Sequence, residues 1–125
     1  MQIIQFIKGR LKGAGYAAKG AILLLKTEPS IQVQFVVSIV VTFLGLYFNI
    51  SRYEWLFQIF AIGLVMSLEG VNTAVEGIAD FIHPDFHHKI GVIKDVAAGA
   101  VCIAALTATI IGLWIYIPYF LTLVA

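Results

Sequence analysis

Charge is what this chain has least of. Asp, Glu, Lys and Arg make up 12% of its 125 residues, against about 25% in an ordinary soluble domain. Apolar residues make up 61%, and the mean hydropathy is +0.97. That composition excludes a disordered chain, which is polar and charged, and argues against a soluble globule. The single cysteine, Cys102, excludes an intrachain disulfide framework and a multi-thiolate metal site; it reads as an inert core residue. A net charge of +1 offers nucleic acid no electrostatic footprint. Proline occurs three times, at Pro29, Pro84 and Pro118, and each reads as a helix boundary. No repeat, low-complexity tract or soluble domain interrupts the sequence, so residues 1–125 read as one domain.

The charges present are clustered. None lies between Glu28 and Arg52, none between Glu54 and Glu69, and none after Asp95. A helix needs about 20 mostly apolar residues to cross a bilayer. The charge-free runs predict an all-α membrane protein with three spans, at about 31–50, 55–82 and 94–118, the middle one polar in its second half. Ahead of them, about 3–26 reads as a surface helix rather than a signal peptide, because basic residues are spread through it. On a helical wheel Lys8, Lys12, Lys19 and Lys26 share one side, and Ile3, Ile7, Leu11, Ala14, Ala18, Ile22 and Leu25 another. That pattern suits a helix lying in the headgroup plane, lysines toward anionic lipid. Gly13, Gly15 and Gly20 there read as points of close helix approach.

Orientation follows from the basic residues. Five of the eight, Lys8, Arg10, Lys12, Lys19 and Lys26, precede the first span and place the N-terminus in the cytoplasm. The connection Ser51–Glu54 then lies outside, the one at roughly His83–Ile93 inside, and the C-terminus outside. Tyr47, Tyr53, Trp55, Trp114, Tyr116 and Tyr119 form aromatic belts on the outer side.

The most informative stretch is Ser67–Asp80. Glu69, Asn72, Glu76 and Asp80 follow at intervals of 3, 4 and 4 residues. On a helix they stack in a column within an arc of about 80°. Polar side chains can join helices as glue, but three acids and an amide in register point to a pathway or reactive site. Such acids suit binding of a divalent metal, a proton relay or carriage of a cationic substrate. Glu28, Lys94 and Asp95 fall at the same side of the membrane. Carboxylates there with Lys94, Lys19 and Arg10 suit a magnesium–nucleotide complex, since magnesium takes one or two carboxylates plus phosphate oxygens and cations offset the remaining charge. A Gly-x-x-x-x-Gly-Lys-Ser/Thr loop is absent, and Gly13-Ala14-Gly15 with Gly20 fails the dinucleotide spacing. His83, Asp85, His87 and His88 around Pro84 read as a polar loop at the membrane edge. The small residues from Val96 to Ala108 read as close helix packing.

Glu69-x-x-Asn72-Thr73-Ala74-x-Glu76-x-x-x-Asp80, followed by Ile93-Lys94-Asp95-x-Ala97-Ala98-Gly99-Ala100-Val101, resembles the prokaryotic diacylglycerol kinase / undecaprenol kinase family. Gly15-Tyr16-Ala17-x-Lys19-Gly20 and Thr27-Glu28 fit as well. The resemblance implies a homotrimer in the bacterial inner membrane, with active sites shared between subunits, that transfers the ATP γ-phosphate to a lipid hydroxyl. By the same resemblance Glu69 is the base, Asn72 the amide beside it, and Glu28 and Glu76 the magnesium carboxylates. Tyr16, Lys94, Asp95, Asp85 and His87 fall at nucleotide positions, and Ala98 at the lipid site. The family's basic residue near the N-terminus is displaced here, with Gly9 followed by Arg10. The Ala97–Val101 run and the Thr27-Glu28 context lean toward undecaprenol over diacylglycerol. The rival from another class is a small transporter with Glu69 as its coupling carboxylate.

Overall fold

A computed structural model describes residues 1–125 as four helices with no strand: α1 (Gln2–Thr27), α2 (Pro29–Phe48), α3 (Arg52–Ile82) and α4 (His88–Val124). The last three are long and apolar enough to cross a membrane. The all-helical class and the three candidate spans match the expectation. The boundaries do not, and each departure has a local cause.

Arg52 and Glu54 lie in the first turn of α3 rather than in a loop. Ser51 and Glu54 form a capping box: Ser51 N donates to Glu54 Oε2 at 2.7 Å, and Glu54 N donates to Ser51 Oγ at 3.3 Å. Two otherwise unpartnered donors are thereby satisfied. The α2–α3 turn shrinks to Asn49–Ser51, with Asn49 in the left-handed region at φ 52° and Ile50 N donating to Gly45 O at 3.1 Å. α4 begins at His88, several residues before the expected start, because His87 Nδ1 accepts from Lys89 N at 3.1 Å and caps it. Pro118 does not end α4, which continues to Val124. A proline there removes one helical donor, a defect that membrane helices tolerate. Pro29 and Pro84 do fall at boundaries, as the first residue of α2 and just past the end of α3.

α3 and α4 share the largest interface, α2 packs on α3, and α1 meets α2 more sparingly. At the α2–α3 turn end, Ile50, Ile115 and Tyr116 form a buried cluster against Val41, Leu44, Phe48 and Trp55. A polar knot locks it. Gln58 Nε2 donates to Val41 O at 3.2 Å, and the Tyr116 hydroxyl shares its proton between Val41 O at 2.8 Å and Gln58 Oε1 at 2.5 Å. Tyr119 donates to Glu54 Oε2 at 2.7 Å. Of the six expected belt aromatics, Tyr47, Tyr53 and Trp114 are exposed, whereas Trp55, Tyr116 and Tyr119 turn inward to join helices.

Two further expectations are corrected. Cys102 is exposed rather than in the core, because the buried side of α4 at that level is occupied by Ala104. Gly13, Gly15 and Gly20 have no neighbour within 4 Å of a would-be Cβ, so they are not points of close approach within one chain. Close approach occurs at Gly45 and Gly70 instead. A Cβ at Gly45 would lie 2.7 and 2.9 Å from the Trp55 ring and 3.1 Å from Ile50. Gly45→Ala is therefore expected to lower stability by about 1–3 kcal/mol, read as an earlier thermal transition in detergent. An unchanged transition would show that Trp55 swings away freely.

Candidate active site

The site grows from the second half of α3. Glu69 and Glu76 are half-buried, Asn72 is 8% exposed and Asp80 is exposed. The column expected from the spacing is thus real, and it passes from the apolar interior to the open end of the helix. Two members are bonded together: Asn72 Nδ2 donates to Glu76 Oε1 at 3.3 Å. Asn72 Oδ1 is buried with no partner. An unpartnered buried acceptor costs about 1–3 kcal/mol.

Glu69 is held from α2. Gln34 Nε2 donates to Glu69 Oε2 at 3.2 Å, and Gln34 Oε1 is left buried without a partner. Gln34 escaped the sequence analysis, being one neutral amide in an apolar run. Its signal was available, since a polar residue within a span usually faces the bundle interior. Thr73 donates to the Glu69 carbonyl at 3.1 Å, a bond internal to α3.

At the open end, Lys94 of α4 pairs with Asp80 at 2.5 Å. Asp95 beside it is exposed. Glu28 is half-buried in an extended joint between α1 and α2, at φ −101° and ψ 110°. Gln32 secures the joint: its Nε2 donates to the Leu25 and Lys26 carbonyls, each at 3.1 Å, satisfying the end of α1. Leu24 sits over Gly70, 3.0 Å from a would-be Cβ, so the end of α1 lies beside Glu69.

Other expected residues are not gathered in one chain. Arg10 and Tyr16 lie on exposed α1 and make no hydrogen bond to the column; Lys12 and Lys19 flank the Tyr16 ring at about 6 Å. In the α3–α4 loop, His83 Nδ1 lies 2.8 Å from Asp85 O, and the His83 and His87 rings meet edge to face. Asp85 is exposed there, and no three His, Cys, Asp or Glu side chains of the chain form a metal cluster.

Two cavities flank the column. One of about 200 Å³ lies among α2, α3 and α4, with Gln34 in its wall and Val37, Val65, Met66 and Ala108 as apolar lining. The Gln58–Tyr116 knot also borders it. The other, about 310 Å³, is bounded by Asn72, Val75, Ile93, Ala97 and Ala100. Ala98 is exposed on α4 and lies outside both.

Three helices long and apolar enough to cross a membrane, with a half-buried carboxylate near an apolar cavity and further acids toward the end of α3, make this a helical membrane protein with a candidate site on the polar half of α3. The chain belongs to the prokaryotic diacylglycerol kinase family, whose model matches residues 15–116. It is 36% identical to an undecaprenol kinase of Bacillus subtilis over 103 residues, covering 82% of this chain and 84% of that protein. It is 29% identical to a diacylglycerol kinase of Escherichia coli over 100 residues, 80% of this chain and 82% of that one. A diacylglycerol kinase of Synechocystis is 43% identical over 61 residues, 48% of this chain and 35% of the relative.

Lys94 and Asp80 are partly exposed, at 36% and 62%, and such pairs contribute about 0–1 kcal/mol. Asp80→Asn should therefore leave the thermal transition in detergent nearly unmoved. A large drop would show that the pair holds α3 to α4.

Proposed function

We propose that the protein is an ATP-dependent lipid kinase of the membrane, with undecaprenol favoured over diacylglycerol as acceptor. The observation that carries this is the setting of Glu69. Through Gln34 it is one hydrogen bond from an apolar cavity, and next along α3 the bonded Asn72–Glu76 pair leads toward the charged end of the helix. A lipid hydroxyl held at headgroup depth and a nucleotide arriving from water meet at such a point. The similarity to an undecaprenol kinase over most of both chains supports the lipid preference.

In this mechanism Glu69 takes the proton of the lipid hydroxyl as its oxygen attacks the γ-phosphorus. The bond to the β-phosphate oxygen breaks, and ADP and a lipid monophosphate leave. Asn72 orients the neighbouring carboxylate. Lys94, exchanging Asp80 for phosphate, offsets charge on the transferring group. Positioning and electrostatics supply most of the rate in such transfers. Tyr16, Arg10, Asp85, His87 and Asp95 contribute to nucleotide binding, and Ala98 to the lipid surface. Glu28 and Glu76 offer only oxygens, and the bare Asn72 Oδ1 adds another beside Glu76, a donor set that suits magnesium. A magnesium ion held by Glu28 and Glu76 would neutralise phosphate charge.

The assembly we propose is a homotrimer. Only 11 of 125 residues are buried in one chain, and the expected nucleotide residues of α1 stand apart from the column. Neighbouring subunits would cover the column and bring those residues to it. α1 lies in the headgroup plane, and the N-terminus and active site face the cytoplasm of a bacterial inner membrane. A transporter is not favoured, because it leaves the Glu28, Glu76, Lys94 and Asp95 charges without a task.

Labelled ATP and purified protein in micelles containing undecaprenol or diacylglycerol should yield labelled lipid phosphate, faster with undecaprenol. Lipid-independent failure to label either would reject the kinase. Glu69→Gln should lose turnover by about a hundredfold or more while retaining nucleotide. Glu76→Gln should raise the magnesium concentration needed for half-maximal rate. Cross-linking in native membranes should reach trimer; monomer alone would reject the assembly.

A further inference from the structure

We infer that Gln34 is the positioning residue of the proton acceptor: its amide orients the Glu69 carboxylate. The inference rests on the lipid kinase reading of Glu69. The structure shows one side-chain donor to that carboxylate, Gln34 Nε2 at 3.2 Å. No Lys, Arg or His lies within ion-pair distance of it, the one salt bridge of the chain being Lys94–Asp80. From α1 the neighbour at this level is apolar, Leu24 over Gly70. On α3 itself, Thr73 bonds the Glu69 backbone and Asn72 is turned to Glu76. α4 sends no hydrogen bond to the carboxylate.

Gln34 gives up its own satisfaction to make this contact. With Nε2 on Glu69, its Oε1 is buried and unpartnered. A flipped amide would set oxygen against oxygen and lose the only support Glu69 has. A neutral donor is also the appropriate choice. A lysine would quench the basicity of Glu69, and a second carboxylate would compete for its proton. An amide donates one hydrogen bond and brings no charge of its own. The bond leaves Glu69 Oε1 free of protein hydrogen bonds and able to receive the hydroxyl proton.

Gln34→Leu and Gln34→Glu test this, with kcat and KM for ATP measured across pH using undecaprenol in micelles. Gln34→Leu removes the donor and should lower kcat about ten- to a hundredfold with KM for ATP unchanged. Gln34→Glu keeps size and polarity but brings two carboxylates to hydrogen-bond distance, where one retains a proton. The acidic limb of its kcat profile should move upward by about one pH unit or more, and activity should recover in part as pH rises. A purely structural glutamine would not move that limb. An acidic limb of Gln34→Glu superimposable on the parent's, or an unchanged kcat in Gln34→Leu, overturns the role. A parent protein that phosphorylates neither lipid removes the kinase reading and this inference together, whereas an active parent with unaltered variants removes the inference alone.

Discussion

Hydrocarbon offers no hydrogen bonds, so every backbone amide inside it must find its partner along its own helix. That constraint explains why α2, α3 and α4 run without interruption and why each break is closed by a side chain. Ser51 and Glu54 close one turn, His87 starts α4, and Gln32 seals the end of α1. The same constraint makes each polar residue inside the bundle conspicuous, because an unsatisfied one is costly. Gln58 and Tyr116 answer it by pairing with each other and with Val41. Glu69 answers it with Gln34, and Asn72 does so only in part. The incomplete answers fall at the site, and the complete one falls at the turn end.

Much of this was legible in the residue order. Gaps between charges located the three spans, and intervals of 3, 4 and 4 located the column of Glu69, Asn72, Glu76 and Asp80. Boundaries were less legible. Arg52 and Glu54 looked like loop because they are charged, although Ser51 with Glu54 is itself a start signal. Pro118 looked like a stop, yet a proline stops a helix only where water or a turn takes up the freed carbonyl. The aromatic residues divided according to their neighbours: Trp55 is drawn in by the bare backbone at Gly45 and Tyr116 by Gln58, whereas Trp114 has no such partner.

The site was legible in its charges and illegible in its neutral members. Gln34 sits 35 positions from Glu69, and only the packing of α2 on α3 reveals that they meet. The pairing of Lys94 with Asp80 likewise needed the hairpin of α3 and α4. Residues of α1, by contrast, carry a clear pattern and stand apart from the column in a single chain.

The knot of Gln58, Tyr116 and the Val41 carbonyl has a consequence beyond stability. It borders the same apolar cavity as Gln34, and its donors and acceptors are turned on one another. The cavity wall thus carries two separate hydrogen-bonded sets, Gln34 with Glu69 and Gln58 with Tyr116, among mostly apolar lining. Glu69 and the Gln58–Tyr116 knot share no hydrogen bond, so the partners of one can change without rearranging those of the other.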